Sequence, residues 1–299
     1  MKQRIVFLHG CGPKPPADDL HRVWRDALQA GLKRDVPDQI EAFASVSSDL
    51  FYFADQTGVS GGADFDPEAD LANRQQALAE LKSLKKSRDF RRRSYDALPG
   101  KTALKEFVMD AGASLGASRL LYKRTQPELD AYLAGAAWGV AAREQLVAQL
   151  RSMLEAEDRV LVVGLCLGSV LAYDALWSLG SAAELTGRIA FLTMGSALSD
   201  RSVQGRLLSA GEQGVARYPR HIGVWYNLAA EDDYVCHDKT IADDYNEMLT
   251  AKLVSELVDY TIYNLALRYG RSNAHSSVGY LVHPRTASVL ARWLTGDLS

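Results

Sequence analysis

Cys166 lies in the run Arg159-Val-Leu-Val-Val-Gly-Leu-Cys-Leu-Gly-Ser-Val-Leu-Ala-Tyr-Asp-Ala-Leu-Trp177, which reads as a buried strand, a Gly-x-Cys-x-Gly turn and a helix. So tight a corner suits a nucleophile. It lifts one side chain clear of the sheet edge and aims a helix N-terminus at developing negative charge. Gly164 and Gly168 leave the space the corner needs. A thiol reacts as its thiolate, and a helix N-terminus or a neighbouring imidazole lowers its pKa from about 8.5. The thiolate can then attack a carbonyl to give an acyl-thioester that water hydrolyses.

Such a corner needs a core to hold it. The 299 residues suffice for one large α/β domain or two small ones, and 47% hydrophobic with 24% charged residues is the composition of an ordinary globular chain. With 34 basic and 37 acidic residues the net charge is −3, so global electrostatics point to no polyanionic partner and nucleic acid is not expected. No apolar run approaches the length of a membrane span. The opening Met1-Lys-Gln-Arg-Ile-Val-Phe-Leu-His-Gly10 passes from two basic residues into a strand, without a signal peptide's longer apolar segment. Three cysteines without framework spacing fit a reducing compartment, and a cytoplasmic location is expected.

Along the chain, Ile5–Leu8 reads as a strand ending in the turn His9-Gly10-Cys11-Gly12. Asp18 or Asp19 suits the cap of a helix carrying Leu20, Val23, Trp24, Leu28 and Leu32. A second strand is expected within 40–53. Strand character then lapses, and helices are expected at 71–84, 103–121 and 127–154, forming a helical cap at about 56–150. Strands resume at Val160, 188–194, 221–228 and 257–263, with a last helix at 284–294. The alternation implies one α/β domain over 1–299, a mostly parallel central sheet with helices on both faces.

The Gly164–Gly168 turn, the His-Gly-Cys-Gly turn after an early strand and the order of elements resemble the α/β-hydrolase superfamily, most closely its lipase- and esterase-like branches. Cysteine at the nucleophile position is similar to the dienelactone-hydrolase-like members. That resemblance implies a triad in the order nucleophile, acid, histidine. The acid falls in Glu231-Asp232-Asp233, and Asp233 is chosen for the Tyr234-Val235 pair behind it, with Asp232 as its alternative. The histidine is His275, in a loop before the final helix, rather than His283 at that helix's start. Backbone N–H groups of Cys11 and Leu167 would form the oxyanion hole, and Leu165, Gly10 and Gly12 would line the substrate. Leu165 departs from the His that often precedes the nucleophile in the lipase-like branch. The implied activity is hydrolysis of an ester, thioester or lactone, with no metal or organic cofactor.

Blander readings stay open. Cys166 can be an inert small hydrophobe in a catalytically silent protein that binds a small ligand or partner, or a substitution for serine. Cys11, Cys166 and Cys236 share one sheet edge near His275, yet their spacing matches no zinc pattern. His9 reads as a loop-shaping residue, and Ser196 and Ser199 as loop residues. Lys82, Lys85, Lys86, Arg88, Arg91, Arg92 and Arg93 form a basic run, either a solvated face or a seat for an anionic head group or membrane surface. Leu104, Phe107, Val108, Met109, Leu115, Leu120, Leu121 and Tyr122 would line an acyl pocket or form the cap's own core.

Overall fold

Alternate residues of a strand point to opposite faces of its sheet, and here that period assigns each major helix to a side. The computed structural model describes residues 2–58, 65–100, 123, 126–180 and 189–298. Its main sheet comprises β1 (Gln3–Leu8), β2 (Ser47–Phe51), β3 (Arg159–Leu165), β4 (Ile189–Met194), β5 (Ile222–Ala230) and β6 (Glu256–Ile262). The spatial order is β2-β1-β3-β4-β5-β6, and every neighbouring pair is parallel. A two-stranded antiparallel hairpin, β7 (Leu267–Arg268) with β8 (Arg271–Ser272), stands apart from it.

The longer helices among the described residues are α1 (Ala17–Asp35), α2 (Pro67–Ser83), α3 (Ala137–Glu155), α4 (Leu167–Ser178) and α5 (Pro284–Thr295). Ile5, Phe7, Leu161, Val163 and Leu192 face a core shared with α1, α2 and α5. Val6, Leu8, Val160, Val162 and Phe191 face the opposite core, filled by α3 and α4. The central strands read as near-continuous apolar runs because both of their faces are covered.

Three local expectations change. The span 40–53 opens with a one-turn helix, Ile40–Ala44, and only Ser47–Phe51 is strand. Ile40 and Phe43, three residues apart, bring their side chains to the same core, a spacing that favours a helical turn. The helix expected at 127–154 is two helices, Pro127–Leu133 and α3, divided at Gly135, whose φ of +81° lets the chain reverse. Finally, α1 has Pro16 at its N-cap without a side-chain cap bond. Asp18 and Asp19 lie in the first turn, where they complement the helix dipole.

Within the span 56–150, α2 packs on α1 and on the short helix Ser277–Leu281, while α3 packs on α4. The helix expected at 103–121 and the apolar residues from Leu104 to Tyr122 lie outside the described residues. The basic side chains from Lys82 to Arg93 are exposed around short turns. Among the described residues, no helix is long and apolar enough to cross a membrane.

From β1 the chain runs to β2 on one side and later reaches β3 on the other. In an open parallel sheet, such a reversal leaves a crevice at the carboxyl ends of the two diverging strands, where ligands collect. Gly10–Gly12 follow β1 and Cys166 follows β3, so both border that crevice.

Candidate active site

Cys166 caps α4 with φ 51° and ψ −122°, a conformation non-glycine residues rarely adopt. Close backbone approach holds it there. A Cβ at Gly164 would meet Ser169 Cα at 2.5 Å, and one at Gly168 would meet the His9 carbonyl at 2.5 Å. One at Gly10 would meet Cys166 Cβ at 2.7 Å, so the turn after β1 is seated directly on the Cys166 corner.

His275 sits in the loop between β8 and Ser277–Leu281, and Asp233 in the turn after β5. His275 Nδ1 donates to Asp233 Oδ2 at 2.7 Å, and the imidazole lines the same cavity as Cys166. Asp233 also accepts from the Tyr280 hydroxyl at 2.7 Å and from Val235 N–H at 3.0 Å, leaving its side chain fully buried and well partnered. Burial alone would raise its pKa, but these donors hold it below the usual carboxylate value. Asp232 turns elsewhere and accepts from the Tyr95 hydroxyl. Beneath the Asp233–His275 pair lies Gly195, with φ +54°, where a Cβ would fall 2.8 Å from Asp233 Oδ2 and 3.0 Å from His275 Nδ1.

Charge is shared along this array. The neighbouring Cys11, together with the charge of His275, outweighs burial and holds Cys166 well below the usual thiol range. Burial would lower His275, but the Asp233 carboxylate and the Cys166 sulfur raise it well above an ordinary imidazole. Each group thus favours the charged form of the other.

Cys11 lines the cavity beside Cys166. Leu167 N–H belongs to the first turn of α4, where no carbonyl four residues back can receive it. Gly12 N–H is committed to Glu128 Oε1 at 2.7 Å, a buried carboxylate that fixes the turn from below. Gly10, Gly12 and Leu165 line a cavity of about 230 Å³ together with Cys166 and His275.

Several residues of this site carry no signal in the sequence. Gln126 Oε1 accepts from the Cys166 thiol at 3.7 Å when sulfur is protonated, and its Nε2 donates to the Tyr234 hydroxyl at 3.1 Å. Tyr280 supports Asp233 from a short helix near the end of the chain. Asn264, wholly buried after β6, donates to the carbonyls of Ala274 and Ser276 at 2.9 Å each, clasping the loop on both sides of His275. Gly195 alone had a visible cue, a glycine directly after an apolar strand.

The remaining histidines and cysteines have structural partners. Phe53 N–H donates to His9 Nε2 at 3.0 Å, and the His9 ring stacks on the Phe53 ring. His283 accepts from Arg285 N–H and caps α5. Ser196 accepts from Ser169, and Ser199 donates to the Asp238 carbonyl. Cys236 lies behind the array, 3.8 Å from the Asp233 carbonyl and 3.7 Å from the Tyr280 hydroxyl, and all three cysteines are free thiols. Among the described residues, no three His, Cys, Asp or Glu side chains cluster as metal ligands would. No protein-family model and no curated protein matches this chain. Its chemical capacity therefore rests on geometry: a sulfur, a carboxylate-paired imidazole and backbone N–H groups beside one crevice.

Proposed function

We propose that the chain is an α/β-hydrolase-type enzyme that cleaves a small ester, thioester or lactone. Cys166 acts as nucleophile, His275 as acid and then base, and Asp233 as the carboxylate that orients the imidazole. One observation carries the reading: the hydrogen-bonded Asp233–His275 pair and Cys166 converge on one crevice at the sheet's switch point. The chain order nucleophile, acid, histidine agrees with it.

The thiolate attacks the carbonyl carbon, and the carbonyl electrons move to an oxyanion facing the N–H groups of Cys11 and Leu167. As the tetrahedral adduct collapses, the bond to the leaving oxygen or sulfur breaks and His275 Nε2–H protonates it. Water then attacks the thioester while neutral His275 takes its proton. Collapse expels the thiolate and releases the acid.

Iodoacetamide labelling of Cys166 and a panel of chromogenic esters and thioesters test the reading. Labelling should stay fast well below the usual thiol range. In His275→Ala the sulfur should lose one of the neighbouring groups that lower its pKa, and labelling at pH 7 should slow about tenfold. Cys166→Ala should abolish turnover, while Cys166→Ser shows whether oxygen can replace sulfur. Labelling unaffected by His275→Ala, together with no turnover, would leave a silent hydrolase-fold protein that binds a ligand or partner.

A further inference from the structure

The cavity beside Cys166 is lined unevenly in charge. Three cationic side chains reach it, Lys14, Arg74 and Arg268, each brought from a different part of the chain. Asp70, buried to 1% exposure, accepts from Arg74 Nε at 2.7 Å on one oxygen and from Arg268 Nη2 at 2.9 Å on the other. One carboxylate therefore serves two guanidinium groups, and one positive charge is left over. Arg74 is also tied through Nη1 to Ser277 Oγ at 3.3 Å, and Ser277 is itself held by Trp24 Nε1 at 3.1 Å. The guanidinium is thus fixed in orientation before any ligand arrives.

Lys14 adds a second cation. Its ammonium donates to the carbonyls of Cys11 and Gly12, at 2.5 and 2.6 Å, and forms no ion pair with a carboxylate among the described residues. Glu128, which acts on it electrostatically, gives Oε1 to Gly12 N–H. Burial first, and Arg74 next, push Lys14 down to about 8. Two cations that disfavour each other across one small crevice are stabilised together when an anion lies between them. At about 230 Å³ the cavity is below the usual size of a ligand pocket, which suits a compact substrate.

We propose that Lys14 and Arg74 form an anion subsite beside Cys166, so that the substrate is a short ester or thioester bearing a carboxylate close to its scissile carbonyl. This deepens the hydrolytic reading and rests on it for the word substrate. The subsite itself can be tested without turnover.

Cys166 is alkylated with iodoacetate and, in parallel, with neutral iodoacetamide. Reagent size and reacting carbon are matched, so the ratio of rates reports charge recognition. The ratio should exceed that of a free thiol at least tenfold, and Lys14→Met or Arg74→Met should each lower it about tenfold or more. Lys14→Arg should restore much of it. Because Lys14 carries its proton only below about pH 8, the ratio should fall as pH rises through that value. A second arm compares turnover of the mono-nitrophenyl ester of glutaric acid, corrected for its spontaneous hydrolysis, with that of a neutral branched acyl ester of equal size. Inorganic phosphate and glutarate serve as competing anions, glutarate alone competing if the seat is shaped for a carboxylate.

A wild-type alkylation ratio equal to that of a free thiol, or one unchanged in both methionine variants, overturns the subsite. If both esters turn over equally and the ratio is charge-blind, the hydrolase reading stands and the subsite falls. If neither ester turns over but iodoacetate is preferred, the subsite stands and the hydrolase reading falls. Should Arg74→Met fail to fold because Asp70 loses a partner, Lys14→Met decides alone.

Discussion

Replacing Gly195 with alanine tests whether the Asp233–His275 pair owes its position to an absent side chain. At φ +54° an alanine backbone costs about 1–2 kcal/mol. The new Cβ would also sit 2.8 Å from Asp233 Oδ2, whereas ordinary contact begins near 3.4 Å, so one partner must retreat by 3.4 − 2.8 = 0.6 Å. If the carboxylate takes that whole shift, its 2.7 Å bonds to His275 and Tyr280 stretch toward 3.3 Å, beyond the usual hydrogen-bonding range. Weakening a charge-assisted bond adds about 1.5 kcal/mol or more, for a total near 2–4 kcal/mol. For a chain of this size that lowers Tm by roughly 4–8 °C, a loss a folded domain can survive. Alkylation of Cys166 at neutral pH should slow about tenfold, because the imidazolium that holds the thiolate has lost its register. Gly211→Ala, at a glycine with nothing within 4 Å of its virtual Cβ, serves as control and should change neither quantity. A Gly195→Ala protein with wild-type Tm, labelling rate and pH profile would refute the reasoning.

The two adjacent acids should separate cleanly. Asp233→Asn removes the charge that raises His275 and should cut ester turnover on the order of 10⁴-fold, while Asp232→Asn, bonded to Tyr95 instead, should leave Cys166 labelling within about twofold. Rates measured side by side decide it, and equal losses in the two variants would contradict the placement. Asp174, buried in α4, is raised by burial from 3.8 to about 6. Since its folded value lies above its unfolded one, its contribution to stability is fully present below pH 3.8 and is lost as pH rises through about 6. A shift of roughly two units corresponds to about 3 kcal/mol. Asp174→Asn should flatten that part of the urea-stability profile between pH 4 and 7, and parallel profiles in wild type and variant would count against it.

What the sequence made legible follows from how local each feature is. The strand at Val160 and the glycines around Cys166 are encoded within ten residues, so apolar continuity and turn chemistry announce them. Asp233 and His275 were reachable only through chain order, which places an acid and a histidine after successive strands without saying what holds them. The helix at Ile40–Ala44 was hidden because a short apolar run fits either period until its neighbours are known. Gln126, Tyr280 and Asn264 act through single contacts made across long separations, and no spacing rule brings them together. Lys14 read only as part of a proline-rich loop. Its significance came from Arg74 and Asp70, about sixty residues away in the chain yet at the same crevice.

The clasp that Asn264 places on either side of His275 has a mechanical consequence for the hairpin Leu267–Ser272. Asn273 N–H closes the base of that hairpin on the Ala266 carbonyl at 3.0 Å, and a Cβ at Gly279 would collide with Asn264, so the junction is rigid below the excursion. The hairpin is a side branch. It can lengthen, shorten or exchange Arg268 for another side chain without transmitting the change to the imidazole. The lining of the crevice can therefore vary while the Asp233–His275 geometry stays put, although both are carried on one stretch of chain.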